Sequence, residues 1–461
     1  MLIRQDQGSV RGKLRTYFFD LSLKTKWSLF FEAVMGELVQ DAFPRIDTQR
    51  LYRIPWTTAD NGMSWFEPTR KCNLACDACY ATNDPNSEKS LAQIEVELKA
   101  LMSFRKCDLM MIAGGEPLTH SRIPDVVRIV KSLGPKPFIV TNAIALNASL
   151  VRELKSAGLF GFIFHVDSHQ NRPGWLGKNE LEMNVLRQDL ADMIHAEGGL
   201  VSAFNITIFP DSLQFVPDIV EWALKNIDRV QAYTLIAVRQ MSGGGPFDYF
   251  VGSRRISLDD QASGSHQSLR RISAEELYAQ VRKAIPDFSF AGYIGGTSLA
   301  TTVKWAVGVR LGIRGHTFGN IGPKSFELIQ IGHHLLRGRY LSMPGPRFSR
   351  KAKGIFLFGI FDREVRGALH NLLKASMRNP AHLVRPVFAQ NIIVLQPMDM
   401  LATGEMDLCD GCPNKTYWEG RLISSCILEN YLKFGAPLVA LPKKEEDALR
   451  SAADSGERIA P

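Results

Sequence analysis

Residues 64–80, SWFEPTRKCNLACDACY, decide how the 461-residue chain is read. An apolar run at 64–69 reads as a strand, and it runs directly into a loop with three cysteines, Cys72, Cys76 and Cys79. Outward from it the pattern repeats. Further strands are expected at 109–114, 137–142, 160–167, 201–209 and 230–238. Amphipathic helical stretches lie between them, near 87–104, 121–133, 147–157, 182–196 and 215–226. Strands alternating with helices of this length indicate βαβ units and a parallel sheet. With right-handed crossovers the sheet is an open doubly wound one or a barrel, and functional groups collect at the C-terminal strand ends.

Composition sets the outer bounds. Hydrophobic residues make up 45% and charged residues 22%, so the chain reads as globular and long enough to bury a core without disulfides. The N-terminal stretch mixes charges and lacks the apolar segment of a secretory signal. No run of about 18 uncharged apolar residues occurs, so no transmembrane span is expected. Six of the seven cysteines fall in two tight groups, which points to metal binding in a reducing, cytoplasmic compartment.

The expected organisation has six parts. Residues 1–60 are an N-terminal segment, with helical apolar spacing at 25–39. Residues 61–240 form the strand–helix core, and 241–272, rich in glycine and polar residues, form a linker or mobile loop. Residues 273–400 read as a basic, α-rich segment with helices near 274–284, 299–311, 325–337 and 363–377. Residues 401–442 hold the second cysteine group, and 443–461 are a polar tail.

Three thiolates in so short a loop suit one cubane, each sulfur reaching a different iron and leaving the fourth iron open. A structural zinc normally takes four ligands, and no histidine lies near this loop. At this point the chain resembles the radical S-adenosylmethionine (radical SAM) enzymes. The resemblance rests on Cys72, Cys76, Cys79 and Tyr80, and on Gly114-Gly115-Glu116-Pro117 at the end of the second strand. It covers about residues 62–238. It implies a partial (β/α)6 TIM-like barrel, a [4Fe–4S] cluster on the three cysteines, and S-adenosylmethionine chelated to the open iron. It further implies reductive cleavage to a 5′-deoxyadenosyl radical that abstracts hydrogen from a substrate, with a reductant such as flavodoxin or ferredoxin.

Further site residues follow from that resemblance. Gly114 and Gly115 let the backbone approach the ligand, and their carbonyls with Glu116 are expected to meet the methionine amine. Tyr80 is expected at the adenine. Thr141, Asn142, Asp167 and Ser168 sit at strand ends as candidate ribose and carboxylate contacts, and Arg172 is a candidate partner of the methionine carboxylate. Turn and cap roles are the alternative for these later residues. His165, Asp167 and His169 share one face at strand spacing, which also fits a hydrolase metal site, although no ligands from other strands are evident.

Cys409, Cys412 and Cys426 suggest a second metal site, with the fourth position left to substrate, water or a residue such as Asp410. The resemblance supports an auxiliary iron–sulfur cluster; a zinc site or thiol pair is the alternative. Cys107 stands alone and reads as a core thiol.

The net charge is +8 but unevenly spread. Residues 301–390 carry 15 lysines and arginines against Glu327, Asp362 and Glu364, a local excess of +12. A solvated basic face is one reading. Together with the apolar runs at 305–313 and 355–361, the charge favours an anionic partner such as a membrane surface, a lipid or a carrier protein. A lipid-like or carrier-bound substrate and a position at the inner membrane face follow as expectations. Peptide or RNA modification is the rival within the enzyme class, and an iron–sulfur electron carrier or scaffold the rival outside it.

Overall fold

The computed structural model describes residues 44–239, 247–257, 270–401 and 403–443. The helical expectation at 25–39 and the tail beyond Lys443 lie outside the described residues. The described residues from Asp47 onward form one unit.

After the short strand β1 (Tyr52–Arg53) come six parallel strands, β2 (Met63–Thr69), β3 (Leu109–Gly114), β4 (Lys136–Thr141), β5 (Gly161–His165), β6 (Val201–Ile208) and β7 (Ala232–Ala237). They follow the order expected from the sequence and pair as consecutive neighbours. The intervening helices are α1 (Leu91–Phe104), α2 (Ile123–Ser132), α3 (Ala148–Ser156), α4 (Asn184–Glu197) and α5 (Val216–Lys225). Ser90 and Asn147 cap α1 and α3 by accepting from Gln93 N–H and Leu150 N–H. β3 is buried on both faces. Leu109 and Met111 join Trp65, Phe138, Ala203 and Ala232 on one face, while the alternate residues meet the helical layer. Cys107 is a buried core thiol.

Beyond the six strands the structure corrects two expectations. Residues 241–272 are more than a linker: β8 (Phe247–Val251) and β9 (Arg254–Ile256) form a hairpin that pairs with a strand at Val439–Pro442. After α6 (Ala274–Ala284), the segment to residue 400 is not an α-rich appendage. It adds β10 (Gly292–Gly295), β11 (Val303–Ile313), β12 (His316–Ile321) and β13 (Phe388–Leu395) to the main sheet. The helix expected at 299–311 is therefore β11. Its β-branched residues and near-complete burial favour a strand over a helix. Gly308 is also needed there, because a Cβ would lie 2.4 Å from the Phe288 ring. The expected helices at 325–337 and 363–377 are present as α7 (Pro323–Arg337) and, after a short helix α8 (Pro346–Ser349), α9 (Arg363–Arg378).

The eleven-stranded sheet has order β1-β10-β11-β13-β7-β6-β5-β4-β3-β2, with β12 on β11; only β11 runs against the others. This is a partial barrel whose edges are β1 and β2. Residues 409–415 lie across that seam. Asp410 pairs with Arg53 at 2.5 Å, Asn61 donates to the Gly411 carbonyl at 2.9 Å, and Ser64 donates to the Lys415 carbonyl at 3.0 Å. Buried Arg105 adds bonds to the carbonyls of Met63, Cys412 and Pro413.

A buried ion pair, Glu180–Arg187, braces the exit of β5. Glu180 accepts from Ser168 N–H at 2.6 Å and Arg187 donates to the Val166 carbonyl at 2.9 Å. Removing one partner leaves a buried charge uncompensated. Arg187→Met is therefore expected to lower the unfolding free energy by about 3–5 kcal/mol, measured by denaturant titration.

Candidate functional site

The cysteine loop is held from three sides. From below, Gly115 N–H donates to the Thr69 carbonyl at 3.1 Å and Glu116 N–H to the Lys71 carbonyl at 2.8 Å. A Cβ on Gly115 would lie 2.4 Å from the Lys71 carbonyl oxygen, and one on Gly114 2.3 Å from that of Thr69. Gly114 also takes φ +110°, which a side chain disfavours. From within, Asn83 accepts from Cys72 N–H at 2.9 Å and donates back to the Cys72 carbonyl at 3.1 Å. From across the barrel, Asp77 N–H donates to the His169 carbonyl at 2.9 Å, and Asn171 donates to the Ala75 carbonyl at 2.8 Å. Ala78, Ala143 and Asn171 all adopt positive φ, placing three unusual backbone conformations around one loop.

The residues expected at this site divide into groups. Glu116 is buried and its carboxylate is engaged inside the protein. It accepts from Leu118 N–H at 3.0 Å, Thr141 Oγ1 at 2.7 Å and Asn142 N–H at 2.7 Å, tying the ends of β3 and β4 together. Pro117 opens the short 3-10 turn that follows. Tyr80 donates its hydroxyl to the Gly114 carbonyl at 3.1 Å and packs edge-on to Trp65. Asn142 donates to Asn73 at 2.7 Å, and its carbonyl accepts from Arg172 at 2.7 Å. Tyr80, Gly114, Gly115, Glu116, Thr141, Asn142 and Arg172 are thus linked around the loop.

Asp167 and Ser168 are placed differently. Burial alone would raise the Asp167 carboxyl. His165 at 3.0 Å and the backbone N–H groups of His169 and Thr207 instead hold it below the usual range. Ser168 is tied by its backbone to Glu180. His169 turns from that pair to bridge Asp77 at 3.2 Å and Asp211 at 3.1 Å while stacking on Phe209. The three-residue metal face suggested by the spacing is therefore split. Among the described residues no three His, Cys, Asp or Glu side chains surround a single ion-sized point. A cubane poses a different demand, one thiolate on each of three irons.

The site's electrostatics suit such a group. Burial raises all three thiols, and for Cys76 the charges of Cys79, Asp167 and Cys72 add to the effect. Arg172, itself buried, has no carboxylate partner among the described residues, and its Nε is unpartnered. Thiols that repel one another's ionised forms, beside an unpaired guanidinium, fit an iron–sulfur cluster with an anionic ligand on it.

The sequence model of the Radical SAM superfamily matches residues 66–223, the span that carries these strands and loops. The chain carries a radical SAM domain. The superfamily's cofactors are a [4Fe–4S] cluster and S-adenosylmethionine, and its members are enzymes. Among curated relatives, a 7,8-dihydro-6-hydroxymethylpterin dimethyltransferase of Methanocaldococcus jannaschii is 25% identical over 35% of this chain and 33% of its own. A GTP 3′,8-cyclase of Chlorobaculum tepidum is 34% identical over 22% of this chain and 31% of its own. The chain therefore spans about a third of the length of these relatives. Among solved structures, Streptococcus suis SuiB aligns with TM-score 0.35 at 15% identity, over 50% of this chain and 46% of its own.

Outside the radical SAM domain, the second cysteine group is buried at the seam. Cys409 and Cys412 are 8% and 4% exposed. Their thiols interact, which raises Cys409 and, with Ser424, lowers Cys412. Gly411 makes the turn at φ +65°, where a Cβ would strike the Trp56 carbonyl. Asp410 points to Arg53 instead. One helical turn beyond Cys426, Glu429 ion-pairs Arg70 and accepts from Thr82 Oγ1 at 2.6 Å, closing over the first cysteine loop. Sequence reasoning missed Glu429 because nothing local marks a partner more than 300 residues away. It missed Asn83 and Asn171 because each reads as an ordinary turn residue.

Gly115→Ala should displace the loop it contacts. Iron retained after anaerobic reconstitution is expected to fall, and S-adenosylmethionine to bind at least about tenfold more weakly by equilibrium dialysis.

Proposed function

We propose that this protein reductively cleaves S-adenosylmethionine and uses the product radical on a lipid-like substrate at an anionic membrane surface. The observation that carries the chemistry is the three-sided clamp on the Cys72–Cys79 loop beside unpaired Arg172. When bound, a [4Fe–4S] cluster supplies the electron that splits the S–C5′ bond, and the resulting 5′-deoxyadenosyl radical takes a hydrogen atom from substrate. Cys72, Cys76 and Cys79 would hold the cluster, and Arg172 would pair with the methionine carboxylate. The bare backbone of Gly114 and Gly115 permits close approach of the ligand, and Trp65 with Tyr80 supplies an aromatic wall. Glu116 positions the ends of β3 and β4 and does not face the ligand with a free carboxylate. Flavodoxin or ferredoxin is the proposed source of the electron. Cys409, Cys412 and Cys426, with Arg105 buried beside them and bonded only to carbonyls, would hold a second, multi-iron cluster.

The membrane part of the reading is supported by one face. Leu357, Ile360, Phe361, Met377 and Val384 are each more than half exposed. Apart from Phe361, which ends the 3-10 helix, they lie on that helix (Ala352–Ile360), on α9 and on a short helix α10 (Ala381–Val384), and α9 packs on both of the others. Lys353 and Arg366 lie among them, bonded only to backbone carbonyls. Alongside, Arg314, Arg350 and Arg385 line a wide recess of about 750 Å³ together with Asp228 and Arg229, and none of the first three is ion-paired to a described residue. Exposed apolar side chains with an excess of cations alongside suit anionic headgroups over an acyl region. No helix among the described residues is long and apolar enough to cross a membrane.

The chemistry is tested by anaerobic reconstitution, dithionite and S-adenosylmethionine, with 5′-deoxyadenosine quantified. Product is expected from the native chain and none from Cys76→Ala. A fully loaded cluster that gives neither product nor an S-adenosylmethionine-dependent change in its EPR signal would overturn it. For the surface, co-sedimentation with phosphatidylglycerol vesicles is expected to drop at least about tenfold in Ile360→Asp. Neutral phosphatidylcholine vesicles should bind the native chain weakly.

A further inference from the structure

The helix α11 (Ser425–Phe434) carries Cys426, and its placement is fixed from outside the first cysteine loop. Ser425 N–H donates to the Asn414 carbonyl at 2.8 Å, and Leu428 and Asn430 are buried. The hairpin that leads into it, Lys415–Trp418 with Arg421–Ser424, packs on β2 and α1. Tyr417 meets Phe104 of α1 at a ring distance of 6.2 Å, and Trp418 meets Tyr431 of α11 at 5.2 Å. On this braced helix, Glu429 faces the first cysteine loop.

Its carboxylate reaches both ends of that loop. Arg70, which precedes Cys72, ion-pairs with it. Thr82, which follows Cys79, donates to it from Oγ1 at 2.6 Å and from N–H at 3.3 Å. Lys433 pairs with it at 3.3 Å from within α11. The Arg70 and Glu429 side chains are 18% and 13% exposed, so water screens the pair little. Three thiolates that must each meet a different iron need the two ends of their loop at a fixed separation. The carboxylate is also a charge beside the ligands. Burial raises the Cys79 thiol, and the charges of Cys72 and Glu429 add to the rise.

We propose that Glu429 is a positioning residue for the cluster on Cys72, Cys76 and Cys79. It acts through Arg70 and Thr82, holding the two ends of the loop together, and its charge offsets that of Arg70 beside the cluster. An amide in its place does neither. One oxygen must then serve both Thr82 and Arg70, and the amide N–H groups face a guanidinium that only donates. Arg70 is left as an unneutralised cation, which favours the more negative, reduced form of the cluster. The inference rests on those three cysteines holding the cluster, which Cys76→Ala tests by itself.

The test uses the anaerobically reconstituted full chain and the EPR signal of the reduced cluster that S-adenosylmethionine perturbs. In Glu429→Gln the reduction potential of that signal is expected to move upward in a redox titration. Bathophenanthroline should strip the iron behind it at least about tenfold faster. Thr82→Val keeps the charges and frees one end of the loop, so iron loss should quicken while the potential stays. Arg70→Met combined with Glu429→Gln restores the charge balance. The potential should then return toward the native value while iron loss stays fast. Native potential and native iron loss in Glu429→Gln, even with a lowered unfolding midpoint, would overturn the inference alone. A signal that survives Cys76→Ala would instead remove the cluster assignment, and the inference with it.

Discussion

Everything at the proposed site depends on how closely the end of β3 approaches the exit of β2. Two backbone hydrogen bonds, from Gly115 to Thr69 and from Glu116 to Lys71, hold the strand end against the three residues that precede Cys72. That approach is possible only because both glycines lack a Cβ. The Glu116 carboxylate then carries the constraint one strand further, to Thr141 and Asn142, and the Asn142 carbonyl passes it to Arg172. The glycines and the glutamate therefore act through backbone placement, and the ligand-facing groups inherit their positions from them.

A parallel barrel missing strands has two raw edges, and this one closes them with a segment from the far end of the chain. The 409–415 stretch bonds to β1 through Arg53, to β2 through Ser64 and to the α1 end through Arg105. The helix that follows carries Cys426 and Glu429, and Glu429 reaches the first cysteine loop through Arg70 and Thr82. The two cysteine groups are thus parts of one structural closure. A change in the second group has a direct path, through a single helical turn, to the backbone that presents the first.

The sequence makes the six parallel strands and their helices legible because they carry strong local signals. Each strand is a short apolar run ending in turn residues, and helices such as α1, α3 and α6 open on a capping side chain. The cysteine loop and its glycines are legible for the same reason, since their spacing is local. β11 is misread because an 11-residue run buried along its whole length has no polar face to show its period, leaving only its β-branched residues as a guide. Glu429, Asn171 and the seam are illegible because their meaning is wholly tertiary. Asp167 shows the opposite failure: a residue at the right strand end that is absorbed by its own neighbour, His165.

The basic 301–390 stretch shows why charge counts need a structure. Two of its cations are internal. Lys304 is fully buried between Asp399 and Asp407, and Arg310 pairs with Asp287, so both stabilise the sheet and contribute nothing to a surface field. One of its three acids is internal as well, since Asp362 caps both α7 and α9 through Ser325 and Val365. With that acid occupied, Glu364 in the first turn of α9 is the acid left beside the cations of the 3-10 helix and α9. Exposed leucine, isoleucine and phenylalanine on one face cost solubility unless something covers them.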